Sequence, residues 1–145
     1  MKNTTKLLAL LLTVIMAVSL LVSCGGGQGT GKMTLVIVGD ETTEYTVTLD
    51  EVEGNTVAAV LEYLKETKGM AFEYSGTMVN KVGELENDAA KGNWIYFWTS
   101  VAADADVTEW ASYVEYGGKT LTSSGKNVFE MSAYDGAIIY IGYYR

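Results

Sequence analysis

The sequence predicts an α+β domain, a β-sheet layered against a single amphipathic helix. Three features lead there. Short apolar runs recur beyond residue 32, some alternating at period two, as in Tyr45-Thr46-Val47-Thr48-Leu49. One stretch, residues 57–68, repeats its apolar residues at helical spacing instead. The closing run is apolar on both parities, with Ile139, Ile141 and Tyr143 on one face and Ile138, Tyr140 and Tyr144 on the other. Such a strand suits the middle of a sheet covered on both sides. The helix is expected to cover one side, leaving the other to a loop, a ligand or a partner.

Taken in order, residues 33–38 and 45–49 flank Gly39-Asp40 and the acids after it, the pattern of a β-hairpin. Gly54-Asn55-Thr56 breaks the second strand and offers a helix cap. Val57, Val60, Leu61 and Leu64 then form one apolar stripe, Glu62, Lys65 and Glu66 fall on other faces, and Gly69 ends the pattern. Residues 72–82 read as two short strands around Ser75-Gly76, and residues 84–92 as a polar loop. Residues 94–101 read as a strong strand and residues 104–109 as a polar excursion. Residues 110–116 are expected to be a strand turning at Gly117-Gly118 into residues 119–121. Residues 128–131 and 137–144 are expected to close the sheet.

The start of the chain has a different character. Lys2 and Lys6 precede an almost unbroken apolar run over residues 7–22, closed by Leu21-Val22-Ser23-Cys24. Basic start, apolar middle and small residue before the cut are the three parts of a secretory signal. At sixteen residues the run is short for a transmembrane helix, which needs about 20. The ending resembles the bacterial lipobox. That resemblance implies a diacylglyceryl thioether on Cys24, the lone cysteine, and cleavage after Ser23. Two or three acyl chains, at about 0.8 kcal/mol per buried methylene, anchor a protein stably. Residues 1–23 are therefore expected to be a signal peptide and residues 24–32 a lipidated Cys24 followed by a flexible glycine-rich tether. Residues 33–145 then form the domain, displayed on the outer face of the cell membrane.

Charge and composition narrow the function. The whole chain carries −8; removing residues 1–23 takes Lys2 and Lys6 and no acid, leaving −10. An acidic surface repels nucleic-acid backbones and anionic lipid headgroups, so no nucleic-acid partner is expected. The chain has no His and one Cys, which removes Ser-His-Asp and Cys-His units and histidine zinc sites. No catalytic residue, metal or cofactor is assigned, and the chain is expected not to be an enzyme. Asp104, Asp106 and Glu109 offer several oxygens to a hard cation but lack the glycine and terminal bidentate acid of an EF-hand, so a solvated loop is the favoured reading.

Several stretches carry a family resemblance. Gly54-Asn55-Thr56-Val57-Ala58-Ala59-Val60-Leu61 resembles the helix start of the transcobalamin-like C-terminal domain of bacterial surface proteins. Asn93-Trp94-Ile95-Tyr96-Phe97 is similar to that family's Trp-centred strand, and Tyr134-Asp135-Gly136 with residues 138–143 to its closing turn and aromatic strand. The resemblance covers roughly residues 33–144, with the motifs in the family's order. The resemblance implies a β-grasp-like mixed sheet. It also implies a corrinoid-type ligand, since the corresponding domain of animal cobalamin carriers closes over one side of a bound corrinoid. Two departures stand out: this chain has Asp135-Gly136-Ala137 where the family has Asp-Gly-Asp, and residues 101–109 resemble an insertion.

All three Trp, ten Tyr and three Phe lie beyond Cys24. Alternation puts Trp94, Tyr96 and Trp98 on one face of their strand, with Ile95 and Phe97 on the other. A face of that composition can stack on a flat or amphipathic ligand, or can be ordinary half-buried packing. Trp110, Tyr113, Tyr116 and Tyr140 extend the candidate ligand-binding set. The expected function is capture of a small ligand, a corrinoid among the candidates, for hand-over to an importer or a second surface protein. The alternative is a cell-surface interaction or adhesion module with no small ligand. A concave aromatic face favours the first and a flat one the second.

Overall fold

The computed structural model describes residues 29–144. Strands β1 (Lys32–Val38) and β2 (Thr42–Thr48) form an antiparallel hairpin, with Lys32 opposite Thr48 and Val38 opposite Thr42. Helix α1 (Val57–Lys68) follows a short 3₁₀ turn at Leu49–Glu51. Strands β3 (Phe72–Ser75), β4 (Met78–Val82) and β5 (Leu85–Glu86) make a small separate sheet. Strands β6 (Ile95–Thr99), β7 (Tyr113–Tyr116), β8 (Lys119–Ser123) and β9 (Ile138–Tyr143) complete the large one. Its order is β2-β1-β9-β6-β8-β7. The first and last strands lie parallel in the middle, and β6 runs antiparallel to β9. This is a β-grasp-like mixed sheet packed against one amphipathic helix.

The helix forms where the sequence places it. Thr56 Oγ1 accepts from the Ala59 amide at 3.2 Å, and Gly69 ends the helix at φ 66°, where a side chain would be strained. The buried stripe is Val57, Ala58, Val60, Leu61 and Leu64. It belongs to the same core as Leu35 and Ile37 of β1, Ile139 and Ile141 of β9, and the half-buried Ile95 and Phe97 of β6. Each fully buried aliphatic side chain contributes about 1.5–3 kcal/mol. The small sheet adds Phe72, Val79, Val82 and Leu85 to the same core.

Three expectations are corrected. Residues 128–131 are not a strand. Their chain turns on Asn127, whose side chain accepts from the Phe129 amide and whose carbonyl accepts from Glu130 and Met131. The turn aims the Met131 and Val128 carbonyls at the amides of Val57 and Ala58, at 3.0 and 2.9 Å. Two orphan donors at the helix start are thereby satisfied. Residues 110–112 do not continue β7: Asp106 Oδ1 accepts from Thr108 N and Thr108 Oγ1 from Trp110 N, closing local turns. Leu85–Glu86, inside the expected polar loop, is a short strand with Leu85 fully buried.

The expected tether also ends earlier than its composition implies. Leu49 N donates to the Gly31 carbonyl at 2.9 Å, and Lys32 N donates to Asp135 Oδ1 at 2.9 Å. Gly31 sits at φ 92°, pressed against Asp135 where a Cβ has no room. Residues 29–31 are thus part of the fold. The expected signal peptide, Cys24 and residues 25–28 lie outside the described residues.

Candidate ligand groove

The face of the large sheet turned away from α1 is aromatic. Trp98 and Tyr140 are register partners across β6 and β9, and Gly142 opposes Tyr96. Ring contacts run along this face in sequence: Tyr144 to Tyr96 at 5.1 Å, Tyr96 to Trp98 at 5.4 Å, Trp98 to Tyr140 at 5.6 Å, Tyr140 to Tyr116 at 6.3 Å. All are tilted or edge-to-face, the arrangements aromatic quadrupoles prefer. Gly142 is small for a reason visible here: a Cβ would lie 3.3 Å from the Tyr140 ring.

A groove of about 360 Å³ opens on this face. Trp98 and Tyr140 line it together with Tyr113, Ser112, Tyr143 and Tyr144, and it reaches Val38 and Gly39 at one end. Trp98 is only 4% exposed, and its indole N–H donates to Ser112 Oγ at 3.0 Å. Ser112 is held in turn, its amide donating to Ser123 Oγ at 2.9 Å. Trp98 is thus an anchored part of the groove wall, while Tyr113 and Tyr144 stand exposed at its margin. The volume is at the small end of ligand sites, enough for one ring system with a short substituent.

Of the seven aromatic residues proposed from sequence, Tyr116 packs on the Tyr140 ring, and the other six separate into three sets. Trp98, Tyr113 and Tyr140 line the groove. Trp94 and Tyr96 line a second recess of about 260 Å³, with Met78, Asn87, Asn127 and Lys126 nearby. Tyr96 links the two, since its ring packs on Trp98 and Tyr144. Trp94 does not share the groove because the regular strand begins only at Ile95, where Asn87 Oδ1 takes the Ile95 amide at 2.8 Å. Trp110 lines neither cavity and is 79% exposed on its turn. Sequence reasoning missed Ser112, Gly142, Tyr143 and Tyr144 as groove residues. The tyrosines were visible as the second half of the closing aromatic run, and Gly142 as the single small residue within it.

The polar loop is also different from its expected form. Asp104 is fully buried rather than solvated. Lys126 Nζ meets its Oδ1 at 2.6 Å and Ser132 N its Oδ2 at 2.6 Å, while its carbonyl accepts from Gly125 N. With both oxygens engaged, Asp104 staples three segments. Among the described residues no group of three or more His, Cys, Asp or Glu is arranged to hold a metal ion. Elsewhere, the Tyr116 hydroxyl donates to Glu44, and that bond is the main reason its ionisation is pushed above the ordinary tyrosine value. Comparison with protein-family models, with curated proteins and with solved structures finds no match to this chain.

Proposed function

We propose that this chain is an exported lipoprotein of the transcobalamin-like kind, anchored through Cys24, whose aromatic groove captures a small ligand for hand-over to an importer or a second surface protein. The observation that carries the reading is the groove itself: a concavity walled by Trp98, Tyr113, Tyr140 and Tyr144 on the sheet face that the helix leaves uncovered. Such sites bind by stacking and burial, with a few polar groups setting orientation. Ser112 Oγ and the hydroxyls of the tyrosines are the candidates for that role. A corrinoid, if bound, would place an edge or a side chain in the groove, because the volume is too small to enclose a macrocycle.

The test is a titration of residues 25–145 with cobalamin and related corrinoids, followed by Trp fluorescence corrected for absorption and by calorimetry. Saturable binding at micromolar or tighter affinity, weakened at least tenfold by Tyr113→Ala, is the expected result. Tyr113 is 64% exposed, so that variant keeps the fold. Absence of saturable quenching and of heat overturns corrinoid capture by this chain.

A second reading is favoured by a separate observation. Val107 is 92% exposed and Trp110 79% exposed on one loop. Two large apolar side chains left to solvent on one loop fit a cell-surface interaction or adhesion module. Loss of partner or glycan adhesion in a Val107→Ser, Trp110→Ser variant, with the groove intact, separates this reading from capture.

A further inference from the structure

We infer that the ligand of the aromatic groove is a soluble amphipathic cation: an apolar or flat body carrying an ammonium group. The inference rests on the capture reading and deepens it. Among the described residues that line the groove there is no Lys or Arg, while the aromatic walls are Trp98, Tyr113, Tyr140 and Tyr144. Aromatic faces present the negative lobe of their quadrupole, and several together form the usual seat of an alkylammonium group. Among the described lining residues an anion finds no counter-charge.

The charge at the groove's end has the complementary sign. The groove reaches Gly39, and Gly39 with Tyr143 also borders a smaller cleft of about 140 Å³ lined by Asp40 and Glu84. Glu84 is held there rather than loose: its Oε1 accepts from the Glu41 amide at 3.2 Å and lies directly against Gly39. Glu84 does not line the groove: it lies on the small-sheet side of the Gly39 backbone and acts on the groove's end as nearby negative charge. A ligand lying along the groove would set its body between Trp98, Tyr140 and Tyr113. Its ammonium head would lie at the Gly39 end, the end nearest the negative charge of Glu84 and Asp40. The chain's net −8 works in the same direction, concentrating cations at the surface and repelling anionic competitors.

Benzyltrimethylammonium, benzyl alcohol and benzenesulfonate share a phenyl body and differ in charge, so they isolate the effect. Each is titrated into residues 25–145 by calorimetry, with Trp fluorescence alongside. The cation is expected to bind at least about tenfold more tightly than either other compound. Its affinity should drop several-fold in Glu84→Gln and Asp40→Asn, both exposed positions, and should weaken with added salt. Equal or tighter binding of the alcohol or the sulfonate overturns the inference. So does unchanged affinity for the cation in the doubly substituted chain. If the neutral compound or a corrinoid binds saturably and loses affinity in Tyr113→Ala, while the cation has no advantage, capture stands and the cation inference falls. If none of these compounds binds, the capture reading itself fails and takes this inference with it.

Discussion

The Tyr116 hydroxyl donates a hydrogen bond to the Glu44 carboxylate and so joins the two outermost strands of the large sheet, β7 and β2. Strands in a sheet lie about 4.8 Å apart, so in a flat sheet of this order β2 and β7 would be about 24 Å distant, beyond the reach of the two side chains. The bond requires the β7–β8 hairpin to lean back across the sheet face away from α1. The pairing explains how. β8 is matched to β6 only at Trp98–Ser123 and Thr99–Thr122, leaving the rest of the hairpin free of β6. The Tyr116 ring then meets the Tyr140 ring at 6.3 Å, over the central strand. The hairpin is therefore one wall of the groove, and the Tyr116–Glu44 bond is the latch that holds it.

Removing the latch should loosen that wall without disturbing the core. In Tyr116→Phe the ring contact with Tyr140 remains and the bond is lost. Amide hydrogen exchange across residues 113–121 is expected to quicken, with α1 unchanged. Equal exchange in the hairpin of both proteins would show that ring packing alone holds it.

The latch also has a pH signature. Tyr116 ionises above the ordinary tyrosine value, first because its hydroxyl proton is donated to Glu44, then through burial and the nearby negative charge. A raised folded value means that folding favours the protonated ring. The contribution is fully present below about pH 10, the value of an unfolded tyrosine, and is lost as pH rises through the higher folded value. An ultraviolet titration should therefore contain late-ionising tyrosines, one of which disappears in Tyr116→Phe. Tyr63, bonded to Glu51, is raised in the same way and should persist in that variant.

Asp104 and Lys126 should respond unequally to substitution. Lys126 keeps 41% of its side chain in solvent, whereas Asp104 has none. In Asp104→Ala the lysine rehydrates and the main loss is the acceptor for Ser132 N, costing about 1–3 kcal/mol. Lys126→Met strands a buried carboxylate and should cost about 3 kcal/mol or more at neutral pH. Urea unfolding of both variants measures this; a loss in Lys126→Met no larger than in Asp104→Ala would refute the mechanism.

Gly31→Ala tests where the fold begins. Its φ of 92° and the Asp135 side chain against its Cα leave no place for a methyl group. The substitution should destabilise the domain by more than about 1 kcal/mol, measured by thermal or urea unfolding. A neutral result would return this residue to the tether.

What the sequence disclosed depends on the range of the interactions involved. The helix was legible because its determinants are local: the Thr56 cap, the stripe from Val57 to Leu64, and the stop at Gly69. The central position of β9 was legible because its composition serves both faces. Val128 and Met131 misled, since burial makes them apolar while the backbone they belong to turns to cap α1. Asp104 was unreadable because its partners lie 22 and 28 residues away. Alternation correctly grouped Tyr96 with Trp98 but could not show that Trp94 precedes the strand, or that Trp110 sits on an Asp106–Thr108 turn. The groove's second wall depends on a contact spanning 72 residues, which no local pattern contains.

Lipidation stands on a single atom. Cys24 is the chain's one thiol, so Cys24→Ala removes the only site for a thioether and leaves the apolar run of residues 7–22 untouched. If the chain is a lipoprotein, that variant should lose the mass of the lipid, fail to be cut after Ser23, and change its partition between membrane and soluble fractions. The parent protein should yield an N-terminal peptide beginning at a modified Cys24. If the run is instead an uncleaved anchor, mass spectrometry should find residues 1–23 still attached in both proteins and their membrane partition should be identical. The peptide mass decides between the two, because an anchor about 20 residues long holds by its helix while a sixteen-residue signal must pass its hold to the acyl chains.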